Sequence, residues 1–152
     1  MSADIRIETA DAADAEGLAA LRVEAMRPSL EAAGRFDSLR ARDRFLSTFC
    51  AADTKIIRSE GAVVGFFVVR RNTDHIYLDH LYVTSACQGR GIGRSIVDDV
   101  QAEARLAGLP VRLMALNGSP ANSFYQACGF KTVSKDALDT HYEWVPLRKP
   151  LS

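Results

Sequence analysis

The chain has 152 residues, about the size of one ordinary domain and long enough to bury one substantial core. Nineteen Lys and Arg balance nineteen Asp and Glu, so charge gives no case for a nucleic-acid partner or an anionic membrane surface. No apolar run approaches the ~18 residues of a membrane span, and Met1, Ser2, Ala3 and Asp4 lack signal-peptide character, so a cytoplasmic protein is expected.

Three cysteines, Cys50, Cys87 and Cys128, are odd in number and lack metal-ligand spacing. Free thiols and no metal follow, with Cys87 the one expected near the surface.

Ile5, Arg6, Ile7 and Glu8 alternate as a short strand. Asp11 reads as a helix N-cap with Asp14 three residues on, and Leu18, Leu21 and Ala25 follow at helical spacing. Pro28 and Gly34 are expected to interrupt that helix. Asp37 then caps a second helix carrying Leu39, Arg42, Phe45, Leu46 and Phe49. Residues 55–58 and 62–69, split by Glu60 and Gly61, read as a hairpin. Its second strand is almost continuously apolar, as a strand buried on both faces would be. Gly65 within it marks a bulge or the close approach of another element. Asn72, Thr73 and Asp74 form the next turn and deliver the chain into a strand over 75–83.

Downstream, Ile92, Ile96, Val97, Val100, Ala104 and Ala107 recur at helical spacing up to a stop at Gly108. A strand over 111–116 follows. Ser119 and Pro120 then start a short helix as N-cap and first position, and it ends near Gly129. Residues 130–133 and 141–145 read as a closing strand pair. No repeat, linker or low-complexity run is present, which predicts a single domain over 1–152.

Between the strand at 75–83 and the helix from 92 lies the run Gln88, Gly89, Arg90, Gly91, Ile92, Gly93, Arg94, Ser95. Glycine can adopt positive φ and lie close to a ligand, and a helix start offers unpaired N–H groups and the positive end of a dipole. Such a loop favours an anion, and phosphate is the first expectation. It is not a dinucleotide fingerprint, because Arg94 or Ile96 stands where the third glycine belongs, and no P-loop Gly-Lys-Ser/Thr triplet occurs. It does fit Q-x-x-G-x-G through Gln88, Gly91 and Gly93, and so resembles the pyrophosphate loop of the GNAT superfamily of acyl-CoA-dependent N-acyltransferases. A second stretch resembles the same family: Asn117, Pro120 and Asn122, then Phe124-Tyr125 and Gly129-Phe130, in the family's order and spacing. The resemblance covers roughly residues 5–147.

It implies an α+β fold with a mostly antiparallel central sheet, helices flanking it, and splayed central strands that leave a slot for acetyl-CoA. Backbone groups of Leu81, Tyr82 and Val83 are expected along the pantetheine. The N–H groups from Gln88 to Ser95, among them Gly89, Arg90, Ile92 and Arg94, are expected at the pyrophosphate, with Asn117 and Asn122 completing the cofactor site. The link at 28–36 is expected to wall the acceptor site.

The implied activity is acetyl transfer from acetyl-CoA to an amine by direct attack in a ternary complex. The Val83 N–H would stabilise the carbonyl oxygen, and Tyr125 would donate a proton to the departing thiolate. The base is open between Asp79, favoured by the parity it shares with Tyr77, Leu81 and Val83, and His80, favoured by its chemistry. A water chain is the third option. His75 and His141 read as strand-end surface residues. The acceptor is a small-molecule or peptide amine that the sequence does not choose. The alternative function is a non-catalytic acyl-CoA sensor. The strand over 139–147 is expected at a sheet edge, open to pairing in a homodimer.

Overall fold

The computed structural model describes residues 5–147; the N-terminal residues read for a signal peptide lie outside this range. Seven strands hydrogen-bond in the order β1-β2-β3-β4-β5-β7-β6: β1 Ile5–Thr9, β2 Thr54–Ser59, β3 Ala62–Arg71, β4 Ile76–Val83, β5 Val111–Leu116, β6 Lys131–Lys135 and β7 Asp139–Trp144. Four helices accompany them: α1 Ala15–Ala32, α2 Ser38–Ser47, α3 Ile92–Ala107 and α4 Ala121–Ala127. The sheet is mostly antiparallel. Its exception is the β4–β5 pair, which runs parallel through Ile76↔Val111 and Tyr77↔Arg112 and forms the splayed centre.

The chain gathers into two compact units, the first running to Val69 and including His80–Gly93, the second made of Arg70–Asp79 and the chain from Arg94 onward. In the first unit, β1, β2 and β3 pair antiparallel. The turn joining β2 to β3 has positive φ at both Glu60 (53°) and Gly61 (82°), a backbone whose twist matches that of paired strands. Asp11 and Asp14 form a reciprocal capping box ahead of α1, and Asp37 accepts from the Arg40 N–H at the start of α2. Leu18 and Ala19 of α1, Phe45 of α2, Ile56 of β2, and Phe66 and Val68 of β3 close one apolar core. Arg22, itself buried, crosses from α1 to donate through Nη1 to the Ala41 carbonyl of α2 at 2.5 Å.

One expectation is corrected here. Pro28 does not interrupt α1, which passes through it to Ala32. Proline removes one N–H and its i−4 bond, a local loss that the turns on either side of it outlast. Within α2 the buried residues are Ala41 and Phe45, and Leu39 is 69% exposed.

Gly65 serves both purposes its position suggested. The β2–β3 register shifts after Ile57↔Gly65 to Arg58↔Val63, leaving Val64 as the extra residue of a bulge. A Cβ on Gly65 would stand 2.3 Å from the carbonyl oxygen of Tyr82. The bulged Val64 carbonyl accepts from the Thr84 N–H at 2.8 Å. The end of β4 is thereby seated against β3.

In the second unit, β7 pairs antiparallel with β5 on one side and β6 on the other. The predicted edge is therefore corrected. The strand over 139–147 is interior in its paired part, Asp139–Trp144, and the exposed edge is β6. β6 carries Lys131 and Lys135 at its ends and a register shift between Thr132 and Ser134, features that discourage edge pairing. Ser119 does not cap α4 through its side chain; Pro120 occupies that position, and the Asn122 N–H donates to the Ser119 carbonyl at 3.2 Å.

Candidate active site

The first unit presents the glycine loop. After β4, Thr84 leads into a single 3-10 turn, Ser85–Cys87, whose last amide bonds run from Cys87 to the Thr84 carbonyl and from Gln88 to the Ser85 carbonyl. The Gln88 side chain turns back and donates through Nε2 to the Val83 carbonyl at 2.9 Å, tying the loop to the end of β4. Gln88, Gly89, Arg90 and Gly91 are exposed, with φ of 82° at Gly89 and 77° at Gly91. A Cβ built on either glycine would meet no atom within 4 Å. The positive φ turns the backbone, and the space beside it stays open. That is the shape a loop receiving a bulky anion requires, and the residues present fit a CoA pyrophosphate.

Ile92 is buried and anchors the first turn of α3, while Gly93 is half-buried and Arg94 and Ser95 are exposed. Cys87, expected near the surface, is buried at 9% exposure, and Cys50 is the more exposed thiol.

Leu81, Tyr82 and Val83 are half-buried along the last part of β4. His80 and Tyr82 share one face, as parity predicts. The His80 ring lies 5.4 Å from Phe45 and 6.3 Å from Phe66, and its Nδ1 is 3.2 Å from the Tyr82 hydroxyl. The Tyr82 ring in turn packs 5.3 Å from Phe66.

The second unit holds the other predicted side chains. Asp79 Oδ2 accepts from Arg70 Nε at 2.7 Å, with both side chains about three-quarters buried. Arg70 is the partner that sequence reasoning missed, since nothing in a run of two arginines says which one turns toward the next strand. Arg94 is engaged with Asp98 at 3.3 Å and with the Ala127 carbonyl at 3.1 Å. Tyr125 is buried at 7% exposure, its ring edge-on to Phe130 at 5.8 Å and near Phe124 and Tyr142.

Asn117 and Asn122 are bonded throughout. Asn117 donates to the Asp136 carbonyl and accepts from the Thr140 hydroxyl, at 2.9 and 2.7 Å. Asn122 donates to the Leu116 and Ser119 carbonyls and accepts from the Tyr142 hydroxyl at 2.7 Å. A polar cleft of about 430 Å³ borders this network, with Gln126 and Thr132 also on its wall. Asp136 is the hub of the turn between β6 and β7. Its carboxylate accepts from the Asp139 and Leu138 N–H groups and from His141, which together hold it down at about 2. His75 is likewise hydrogen-bonded to a neighbouring carboxylate, that of Asp74, at 2.7 Å. Among the described residues no cluster could hold a metal ion, and no helix is long and apolar enough to cross a membrane.

Residues 25–151 match the acetyltransferase (GNAT) domain family. The chain belongs to the GNAT family. Its fold is shared with the PaiA N-acetyltransferase of Thermoplasma acidophilum in complex with coenzyme A (TM-score 0.71, 16% identity, 93% of this chain and 99% of that one). The ribosomal-protein-S18-alanine N-acetyltransferase of Escherichia coli is similarly close (TM-score 0.70, 14% identity, 96% and 97%). The N-acetylglutamate synthase of Neisseria gonorrhoeae, complexed with coenzyme A and N-acetyl-glutamate, matches through 36% of its own length and 97% of this chain (TM-score 0.65, 19% identity). At such identities these likenesses speak for the fold. Among curated proteins none matches the chain in sequence. As a GNAT acetyltransferase, the chain takes acetyl-CoA as its acyl donor.

Proposed function

We propose that this GNAT chain transfers the acetyl group of acetyl-CoA to a primary amine by direct attack in a ternary complex. The observation that carries the reading is the exposed, positive-φ loop at Gly89 and Gly91, running from β4 straight into α3. Exposed amides of the 89–95 segment hold the pyrophosphate, and the dipole of α3 adds to them at no ordering cost. Gln88 acts mainly by fixing the loop to Val83. Leu81, Tyr82 and Val83 offer backbone groups along the pantetheine, and the Val83 N–H faces the acetyl oxygen as it gains charge. Asn117 and Asn122 serve the cofactor by holding the turn that starts α4, and thereby the helix that carries Tyr125.

A primary amine, with pKa ~10, is mostly protonated near neutral pH and must lose a proton before attack. His80 takes that proton. Asp79 is the second candidate, and its carboxylate is already bonded to Arg70, whereas an imidazole changes protonation in the working pH range. Attack forms the C–N bond and breaks the C–S bond. Of the two protons the ammonium gives up, one passes through His80 to solvent; the sulfur receives a hydrogen bond and then a proton from Tyr125, and the second nitrogen proton, lost as the amide forms, restores the phenol. An ordinary phenol (~10) is a weaker acid than an ordinary thiol (~8.5), so complete transfer runs uphill by roughly 2 kcal/mol. Tyr125 therefore assists mainly by stabilising the thiolate as it departs.

The test is thiol release from acetyl-CoA across a panel of small amines, amino acids and peptide N-termini. Turnover with at least one class is expected; saturable CoA binding with no turnover on any acceptor would point to a sensor instead. With an acceptor in hand, Asp79→Asn and His80→Gln separate the two bases. The acid-side fall in kcat/KM should vanish in His80→Gln and persist in Asp79→Asn, and the reverse pattern would transfer the role to Asp79.

A further inference from the structure

We infer that Arg22 is the carboxylate anchor of the acceptor site, so that the amine this chain acetylates is one that carries a carboxylate, as an amino acid does. The inference rests on the reading of His80 as the base and adds the chemical class of the acceptor brought to it.

Arg22 stands where an apolar residue would serve. It lies on the buried face of α1 with Leu18 and Ala19, which belong to the core of the first unit, and is itself 7% exposed. Its one hydrogen bond among the described residues runs from Nη1 to the Ala41 carbonyl. Nε is sealed from solvent and has no partner. The carboxylates that α1 and α2 do pair are taken by other arginines, Glu16 and Asp43 by Arg42 and Glu31 by Arg27. A guanidinium stays charged at any working pH, and a buried charge without a counter-ion is costly. Methionine or leucine would close this face without that cost. A charge kept there calls for an anion from outside the chain.

The shape of the free edge says which anion. Arg42 grips Glu16 with Nε and Nη2, at 3.2 and 2.6 Å, and Arg71 grips Glu103 with the same pair of atoms, at 2.6 and 2.8 Å. That planar fork matches the two oxygens of a carboxylate. In Arg22 it is the third nitrogen, Nη1, that is engaged with Ala41, so Nε and Nη2 remain as the same fork. Nη2 has no bond among the described residues and, unlike Nε, is not sealed, which gives the fork one open end.

The position of Arg22 joins it to the proposed chemistry. Ala41 and Phe45 are four residues apart on α2 and both buried, so they are neighbours on one helix face, about 6 Å apart. The Phe45 ring lies 5.4 Å from the His80 ring. Arg22, Ala41, Phe45 and His80 all belong to the first unit. One helical turn and one ring contact thus separate guanidinium from imidazole, on the order of 10 Å. A molecule with its amine and carboxylate a few bonds apart spans that gap when each end sits at hydrogen-bonding distance from its partner.

The experiment measures thiol release from acetyl-CoA by the full chain with free amino acids and with the amides of the same amino acids, which keep the amine and lose the charge. The parent should prefer its best amino acid over the matching amide by about tenfold or more in kcat/KM. Arg22→Met should cut kcat/KM for the amino acid by roughly ten- to hundredfold, the range for hydrogen bonds to a charged group, mainly through KM. Its rate with the amide and its CoA affinity should stay at the parental level. Without ligands, Arg22→Met should melt no lower than the parent, because it removes an unpaired buried charge. Arg22→Lys, which keeps the charge and loses the fork, should also lose the preference. A parent that acetylates amines and treats acid and amide alike overturns this inference alone, as does an Arg22→Met chain with the parental preference. So does loss of the fold in both variants, which would make Arg22 a tie between α1 and α2. A chain that binds CoA and turns over no amine overturns the proposed function, and this inference with it.

Discussion

Gly91 and Tyr125 mark the two ends of the proposed chemistry, and each is testable by one atom group. Gly91 sits at φ 77° with open space where a side chain would go. Gly91→Val places a β-branched residue in a conformation it resists and fills the open space proposed to receive phosphate. CoA affinity measured by calorimetry should fall more than tenfold in a variant that still folds; unchanged affinity would remove the loop from the cofactor site. Tyr125→Phe deletes one hydroxyl and keeps the ring that packs on Phe130. With the transfer uphill, kcat should drop by about 10²-fold, the low end for a general acid, and CoA affinity should hold. A kcat within twofold of the parent would make Tyr125 a packing residue.

At the scale of elements, the turn between β6 and β7 is organised by a single carboxylate. Asp136 binds the Leu138 and Asp139 N–H groups and His141, while its own carbonyl receives Asn117 from the turn after β5. Its folded value of about 2 lies below the 3.8 of a free aspartate, because these donors favour the ionised form. A depressed carboxylate stabilises the fold above its unfolded value, and the contribution disappears as pH falls through the folded one. The melting-temperature advantage of the parent over Asp136→Asn should therefore be full at pH 5–7, shrink below about pH 4 and be gone near pH 2. A difference that stays constant with pH would mean that geometry alone, and not charge, holds the turn.

For the molecule as a whole, β3, β4 and α3 each run through both compact units. Melting one unit alone would cut a strand or helix in mid-length, with no turn to end it. We expect one cooperative transition, as in a single domain, with circular dichroism and tryptophan fluorescence from Trp144 melting at the same temperature. Two separated transitions would divide the chain into independent domains.

Most of the fold was legible in the sequence because its signals are local. Apolar alternation and helical spacing, the Asp11 and Asp37 caps, and the Glu60-Gly61 turn depend on neighbours a few residues away, and the elements stand where those signals put them. The glycine loop was legible for the same reason: backbone freedom and a helix start are properties of a short segment. Pairing across the chain was not. That β7 lies inside the sheet and β6 at its edge depends on which strand reaches β5 first, and both strands read alike. Strand parity placed His80 and Tyr82 together, but only packing on Phe45 and Phe66 brought the hydroxyl to Nδ1, and only the tertiary structure gave Asp79 its arginine. Local sequence determines which conformations a segment prefers; which side chains meet is decided by the packing of segments far apart in the chain.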